Sequence, residues 1–171
     1  LTATISSSTD ISCNGGSDGT ATVNVAGGTL PYNYSWSNGQ TLNGDITGTN
    51  SVNGLSQGNI SITITDGNGC TATDNTNIIE PTALTATATK VQDVQCNGAA
   101  DGSISVSASG GTPNYTYLWD DGAGQTTTTA TNLAPGAYTV TVTDDNGCTF
   151  TTPAVTITEP TALTATATKV Q

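Results

Sequence analysis

The chain has no histidine, no arginine and no methionine, only two lysines (Lys90 and Lys169) and one phenylalanine, and just 9% of its 171 residues are charged. Each shortage excludes something. Without histidine, Ser-His-Asp and Cys-His catalysis and His-ligated zinc are out of reach. Two lysines cannot displace the counterions along a phosphate backbone, so no nucleic-acid partner is expected. Thirteen acidic residues bring the formal net charge to −11, which an anionic membrane surface repels. No apolar run reaches the length of a membrane span, so no membrane insertion is expected, and no signal-peptide pattern is present, so any export signal is expected to lie outside this sequence. Hydrophobic residues amount to 34%, so whatever core forms is made from few large side chains.

What is plentiful is threonine, roughly a fifth of the chain, together with 20 glycines. Threonine is β-branched, favours strands and faces water without carrying charge. The apolar residues alternate with it at period two. Ala21, Val23 and Val25 alternate with Thr20, Thr22 and Asn24; Ile60, Ile62 and Ile64 with Ser61, Thr63 and Thr65; Ile104 and Val106 with Ser103, Ser105 and Ser107; and Tyr138, Val140 and Val142 with Thr139, Thr141 and Thr143. Each run reads as a strand with one buried and one wet face. Asn-Gly, Asp-Gly and Gly-Gly turns separate the runs at the spacing of an all-β sandwich, and nothing reads as a helix.

The sequence also repeats. Glu80 to Gln92 (EPTALTATATKVQ) recurs letter for letter 79 positions later at Glu159 to Gln171, and Cys13-Asn14-Gly15 recurs as Cys96-Asn97-Gly98. The expected organisation is one β-sandwich repeat over residues 1–81, a second over 82–160, and the first strand of a third over 161–171. The fold class is all-β: tandem immunoglobulin-like or fibronectin-III-like antiparallel sandwiches of six to seven strands each. An insertion between Trp36 and Leu55 adds a short strand or a longer loop to the first repeat. Short Glu-Pro-Thr-Ala linkers predict modules held end to end.

Each repeat holds two cysteines. Counting six strands puts the first and fifth turns at one pole, and pairing within a repeat, Cys13 with Cys70 and Cys96 with Cys148, avoids crossing the proline linker. Such a bond, one per repeat, closes a loop of about fifty residues and is worth about 4 kcal/mol on the chain-entropy account. It places the protein in an oxidising compartment. A four-cysteine metal site lacks CxxC spacing.

Three further constellations carry candidate functions. Tyr32, Tyr34 and Trp36, and their counterparts Tyr115, Tyr117 and Trp119, share one strand face at every second residue. They form either a sugar-stacking platform or the core, and the scarcity of other bulky residues favours the core. Asp66, Glu80, Asp144, Asp145 and Glu159 are weak calcium candidates, set against the ordinary use of Asp in tight turns. No other cofactor is expected. Lys90, the residue type a Lys–Asn crosslink needs, matches Ser7 in the first repeat and reads as a solvated side chain.

The combined order of motifs is more specific than any part of it. C-N-G-x-x-D-G (Cys13 to Gly19, Cys96 to Gly102) precedes Gly-Gly-Thr and a Y-x-Y-x-W strand. Then follow Leu133-Ala-Pro-Gly-Ala-Tyr138, T-V-T-D-D-N-G-C (Thr141 to Cys148) and a closing T-E-P. This order resembles the SprB-type repeat of gliding-motility and cell-surface adhesins of Bacteroidetes. The first repeat departs from it, with Leu55-Ser-Gln-Gly-Asn-Ile60 in place of the Pro-Gly-x-Tyr corner. The resemblance implies no catalytic residues and no enzyme. It implies a stalk in a very large adhesin or filament, exported by type IX secretion to the bacterial surface, supporting adhesion and gliding. Partners would be neighbouring repeats, surface polysaccharide or substratum, and other filaments. The alternatives are a carbohydrate-binding array using the aromatic strand, and an accessory region of an extracellular enzyme.

Overall fold

A computed structural model of the chain describes residues 1–169 and contains strands and turns without a helix among them. It divides into two units, Leu1–Ala83 and Leu84–Gln171. In the first, seven strands follow in order: β1 (Thr2–Thr9), β2 (Gly19–Ala26), β3 (Tyr32–Trp36), β4 (Thr41–Asp45), β5 (Thr49–Leu55), β6 (Gly58–Thr65) and β7 (Thr71–Ile78). They form two antiparallel sheets, β1-β2-β5 and β4-β3-β6-β7. The inserted residues after Trp36 supply β4, which pairs with the free edge of β3.

Period two sets what lies between the sheets. Ile60, Ile62 and Ile64 of β6 are buried while Ser61 and Thr63 are exposed, and β3 buries Tyr32, Tyr34 and Trp36 while exposing Asn33 and Ser35. Val23, Val52, Leu55 and Ile78 complete the core. Each such aliphatic side chain contributes about 1.5–3 kcal/mol on burial, so a few of them offset a large share of the chain entropy.

The second unit repeats the plan with shorter strands: β8 (Thr85–Gln92), β9 (Gly102–Ser109), β10 (Thr116–Trp119), β11 (Thr129–Leu133), β12 (Gly136–Tyr138), β13 (Val140–Thr143), β14 (Thr149–Thr151) and β15 (Val155–Ile157). One sheet is β8-β9-β11; the other pairings are β10-β13-β14 and β12-β15. The break between β14 and β15 has a local cause. Pro153 has no N–H to give to a ladder, and it falls where the first unit runs β7 unbroken. Its neighbour Thr152 is buried, its Oγ1 accepting the Val140 N–H at 3.3 Å. The Pro-Gly-x-Tyr corner is formed: the Tyr138 hydroxyl donates to the Ala134 carbonyl at 2.9 Å. In the first unit Ile60 fills the core at the matching position.

The within-repeat disulfides are not formed. Cys70 and Cys96 are exposed free thiols, whereas Cys13 and Cys148 are disulfide-bonded. In each unit the two cysteines lie at opposite ends. Cys70 precedes β7, and Cys13 lies beside the residues that follow β7, since the Ile11 N–H donates to the Ile79 carbonyl at 3.0 Å. Eight residues of strand, at about 3.4 Å each, far exceed the roughly 7 Å limit on Cα separation for a disulfide. The pole count fails for two reasons. In the first unit β4 makes a seventh strand. In the second, the segment after β10 turns back without forming a strand, so β10 and β11 both run toward the Cys96 end.

Candidate functional site

The repeated motifs converge on the two ends of each unit. At the leading end, where the chain enters, the Gly-Gly-Thr turn after β2 folds over an aspartate. Asp66 accepts the N–H groups of Thr29 (3.0 Å), Asn68 (3.0 Å) and Cys70 (2.8 Å). Asp144 does the same for Thr112 (2.8 Å), Asn146 (3.1 Å) and Cys148 (2.8 Å). The Tyr32 hydroxyl donates to the Gly27 carbonyl and that of Tyr115 to the Gly110 carbonyl, both at 2.7 Å. Leu1 and Leu84 pack against the two cores at this end.

These carboxylates sit below the ordinary range. The Thr29 N–H, and in the second unit the Thr112 N–H, is the largest cause; partial desolvation opposes it and the remaining N–H donors add to it. Asp45 is the strongest case. Desolvation raises its pKa, but hydrogen bonds from Thr47, the Tyr34 hydroxyl and the Gly48 N–H bring it to about 2. A carboxyl whose folded pKa lies below its unfolded value of 3.8 stabilises the fold fully above that value and ceases to do so as pH falls through the folded one. We therefore expect the denaturant midpoint to hold steady from pH 7 to 5 and to fall between about pH 4 and 2. Converting Asp66 and Asp144 to Asn should lower the midpoint at neutral pH and flatten that fall. Urea titrations across the range provide the check.

At the trailing end, the C-N-G turn grips the outgoing linker. The Gly15 N–H donates to Glu80 Oε2 at 2.6 Å and Asn14 Nδ2 to the Pro81 carbonyl at 3.0 Å. In the second unit Gly98 holds Glu159 at 2.6 Å and Asn97 holds the Pro160 carbonyl at 3.1 Å. Asp10 and Asp93 add a second hold, accepting the N–H groups of Ile79 (3.0 Å) and Thr158 (2.7 Å). Asp18 closes the turn on Ser12, through its N–H at 3.1 Å and its hydroxyl, and Asp101 accepts the Gln95 N–H at 3.0 Å. The glycine ending the motif is needed for packing. A Cβ on Gly19 would stand 2.9 Å from Ile78 Cγ2, and one on Gly102 would stand 2.8 Å from Ile157 Cγ2.

The calcium candidates are thus occupied in hydrogen bonds to backbone N–H groups, apart from the exposed Asp145, whose own N–H donates to the Thr112 carbonyl. Among the described residues no group of three or more His, Cys, Asp or Glu is placed to hold a metal ion. The aromatic rows turn inward: Trp36 and Trp119 are 3% and 2% exposed, and their indole N–H groups donate to Asn50 Oδ1 (2.7 Å) and the Thr127 carbonyl (2.9 Å). Tyr32 and Tyr34 are buried, and Tyr115 and Tyr117 are half-buried. Lys90 pairs with Asp93 at 2.8 Å on the surface, an exposed contact worth little. Sequence reading missed the linker-gripping roles of Asn14, Asn97, Asp10 and Asp93. Their signal was present in the recurrence of both the C-N-G turn and the Glu-Pro step in each repeat. Asp45 gave none, because β4 has no counterpart in the second unit.

The family model for the SprB repeat matches residues 5–41 and 88–124. The SprB repeat model thus matches the chain at two places, once in each unit. Each match spans the C-N-G turn, the packing glycine, the Gly-Gly-Thr turn and the aromatic strand. The matched motifs are therefore those that build the ends and the core. No curated protein matches the chain. Among solved structures, the three N-terminal domains of the bacteriophage RB49 highly immunogenic outer capsid protein align with a TM-score of 0.50 at 20% identity, over 91% of this chain and 58% of that one. The C-terminal fragment of intimin, solved with the intimin-binding domain of its translocated receptor, aligns at 0.45 and 18% identity, over 92% and 63%. A tetra-tandem repeat from the extending region of a large adhesion protein aligns at 0.32 and 17%, over 92% and 48%. The chain spans less than two thirds of each of these structures. The two units fold as tandem immunoglobulin-like sandwiches.

Proposed function

We propose that the two SprB repeats are a load-bearing stalk segment of a large secreted adhesin on a bacterial surface, without enzymatic activity, serving adhesion and gliding motility. The observation that carries this reading is the placement of the chain ends within each unit. The chain enters at Leu1 beside Gly28 and leaves at Glu80, gripped by Gly15 at the opposite end. Tension between those points runs along the strands. Antiparallel ladder bonds lie across that direction, so the β1–β2 and β6–β7 ladders resist it together, in shear. The nearly uncharged Thr-rich surface and the presence of only two lysines also suit a chain exposed to proteases.

The third-repeat reading fits the same scheme. Residues 161–171 copy the strand that opens the second unit; through Lys169 they carry no strand, and Val170 and Gln171 lie outside the described residues. Leu163, the counterpart of the core-packed Leu84, is 99% exposed, as expected of a first strand whose sheet lies further along an array. A carbohydrate-binding array is disfavoured by the burial of Trp36 and Trp119. Pulling the chain from its two ends tests the stalk reading: each unit should yield as a separate mechanical event.

A further inference from the structure

Asn-Gly steps stand at Asn14 and Asn68 in the first unit, at the matching Asn97 and Asn146 in the second, and at Asn38, Asn43 and Asn53 between Trp36 and Leu55. Such a step can modify itself, because glycine has no Cβ to hinder its backbone nitrogen from attacking the asparagine side chain. All seven asparagines are exposed and all seven glycines have positive φ, so neither access nor backbone separates them. Hydrogen bonding does. Asn14 Nδ2 donates to the Pro81 carbonyl at 3.0 Å and Asn97 Nδ2 to the Pro160 carbonyl at 3.1 Å, while Asn68 and Asn146 donate to Thr29 and Thr112 Oγ1, both at 2.9 Å. Each of these four carboxamides is tied to a segment at least 34 residues away in its own unit. The glycine N–H that follows is bonded as well, to Glu80, to Glu159, or to the Asp66 and Asp144 carbonyls. Among the described residues, Nδ2 of Asn38, Asn43 and Asn53 has no such acceptor. Asn38 is held through Oδ1 alone, which accepts the Gln40 N–H at 3.1 Å. The Gly39 and Gly44 N–H groups are bonded too, to the Trp36 carbonyl and Asn33 Oδ1, both at 3.0 Å. The carboxamide nitrogen, the atom that must leave, is therefore what distinguishes the two sets.

We propose that the segment between Trp36 and Leu55 is self-modifying: Asn38, Asn43 and Asn53 convert to aspartate and isoaspartate in the folded protein, while the four locked asparagines persist. The glycine nitrogen bonds to the asparagine Cγ and the Cγ–Nδ2 bond breaks. The proton lost by the glycine nitrogen is made up on Nδ2, which departs as ammonia. Water then opens the resulting succinimide at either carbonyl, so the reaction consumes one water and involves no oxidation. Each conversion puts a carboxylate where a neutral amide stood, and isoaspartate also lengthens the main chain by one methylene group. At Asn38 the fold already accommodates the charge, since the matching Asp121 accepts the Gln125 N–H at 3.1 Å. At Asn43 the added methylene falls inside β4, between Leu42 and Asp45, whose partners are Tyr34 and Tyr32. Conversion there loosens β4 from the sheet edge, while the linker grips and aspartate-capped turns keep their asparagines.

The test holds the folded chain in mildly alkaline buffer, with a parallel sample in urea, and follows each asparagine by peptide mapping with fragmentation that tells aspartate from isoaspartate. In the folded chain Asn38, Asn43 and Asn53 should each convert roughly fivefold faster than Asn14, Asn68, Asn97 and Asn146, the factor that one net hydrogen bond supplies. In urea the seven rates should converge. Thr29→Val removes the Oγ1 acceptor and should bring Asn68 up to the rate of the open sites, leaving Asn146 unchanged. A common rate for all seven in the folded chain would overturn the proposal, as would a Thr29→Val variant with unaltered circular dichroism and an unaltered Asn68 rate. Should that variant fail to fold, the comparison of folded and urea-treated samples of the natural sequence decides by itself.

Discussion

Replacing Trp119 with alanine is expected to unfold the second unit and leave the first intact. Trp119 is among the largest fully buried side chains, 2% exposed, in the core formed with Ile104, Val106, Leu133, Val140 and Ile157. Truncating a buried tryptophan costs about 3–5 kcal/mol. The Thr127 carbonyl also loses its indole partner. A domain of this size holds about 5–15 kcal/mol in total, and the second unit, with shorter strands and a sheet broken at Pro153, belongs near the bottom of that range. The first unit has a separate core around Trp36, which becomes the only tryptophan in the variant. Trp36 fluorescence should therefore keep its buried emission at urea concentrations where about half of the strand signal in circular dichroism is already lost. Loss of both signals together would mean that the units unfold as one.

The second large effect is expected at Gly28 and Gly111. Both adopt positive φ, +77° and +59°, and both lie against the carboxylate that organises the leading end. A Cβ on Gly28 would stand 2.8 Å from Asp66 Oδ2 and 3.0 Å from Leu1 Cδ1; one on Gly111 would overlap Asp144 Oδ2. Alanine at either site combines two penalties. Left-handed backbone costs a non-glycine residue about 1–2 kcal/mol, and displacing the aspartate disturbs three N–H bonds. Gly39 and Gly122 separate these contributions: they have φ of +89° and +75° with nothing within 4 Å of an added Cβ. We expect Gly122→Ala to cost about 1–2 kcal/mol and Gly111→Ala at least twice as much, with the same contrast between Gly39 and Gly28. Urea midpoints for the four variants decide it. Equal losses would remove the aspartate-capped turn from the account.

Much of this architecture was legible in the sequence because threonine makes the wet faces easy to identify. The alternation of Ile60, Ile62 and Ile64 with Ser61 and Thr63 gives both strand and register, and the repeat of EPTALTATATKVQ gives the modular plan. The inward turn of Tyr32, Tyr34 and Trp36 follows from the lack of other bulky residues to fill a sandwich. The cysteine pairing was not legible, because it depends on which pole each turn occupies. That parity changes with one short strand, β4, or with a returning segment that is not a strand, as after β10. Nor were the roles of the acidic residues. Glu80 and Glu159 read as junction calcium candidates, but in the fold they accept the Gly15 and Gly98 N–H groups, contacts between segments 65 and 61 residues apart. The split of the last strand at Pro153 was readable in principle, since proline cannot donate to a ladder.

The central claim, that these are independently folded repeats which carry load from one end to the other, is tested most directly by single-molecule pulling in reducing buffer, where no disulfide shortens the path. The account predicts two separate force peaks, one per unit. Each should be followed by roughly 250 Å of new extension, taking about 3.4 Å per residue less the folded length. Extension without peaks, or one event releasing both units together, would contradict it.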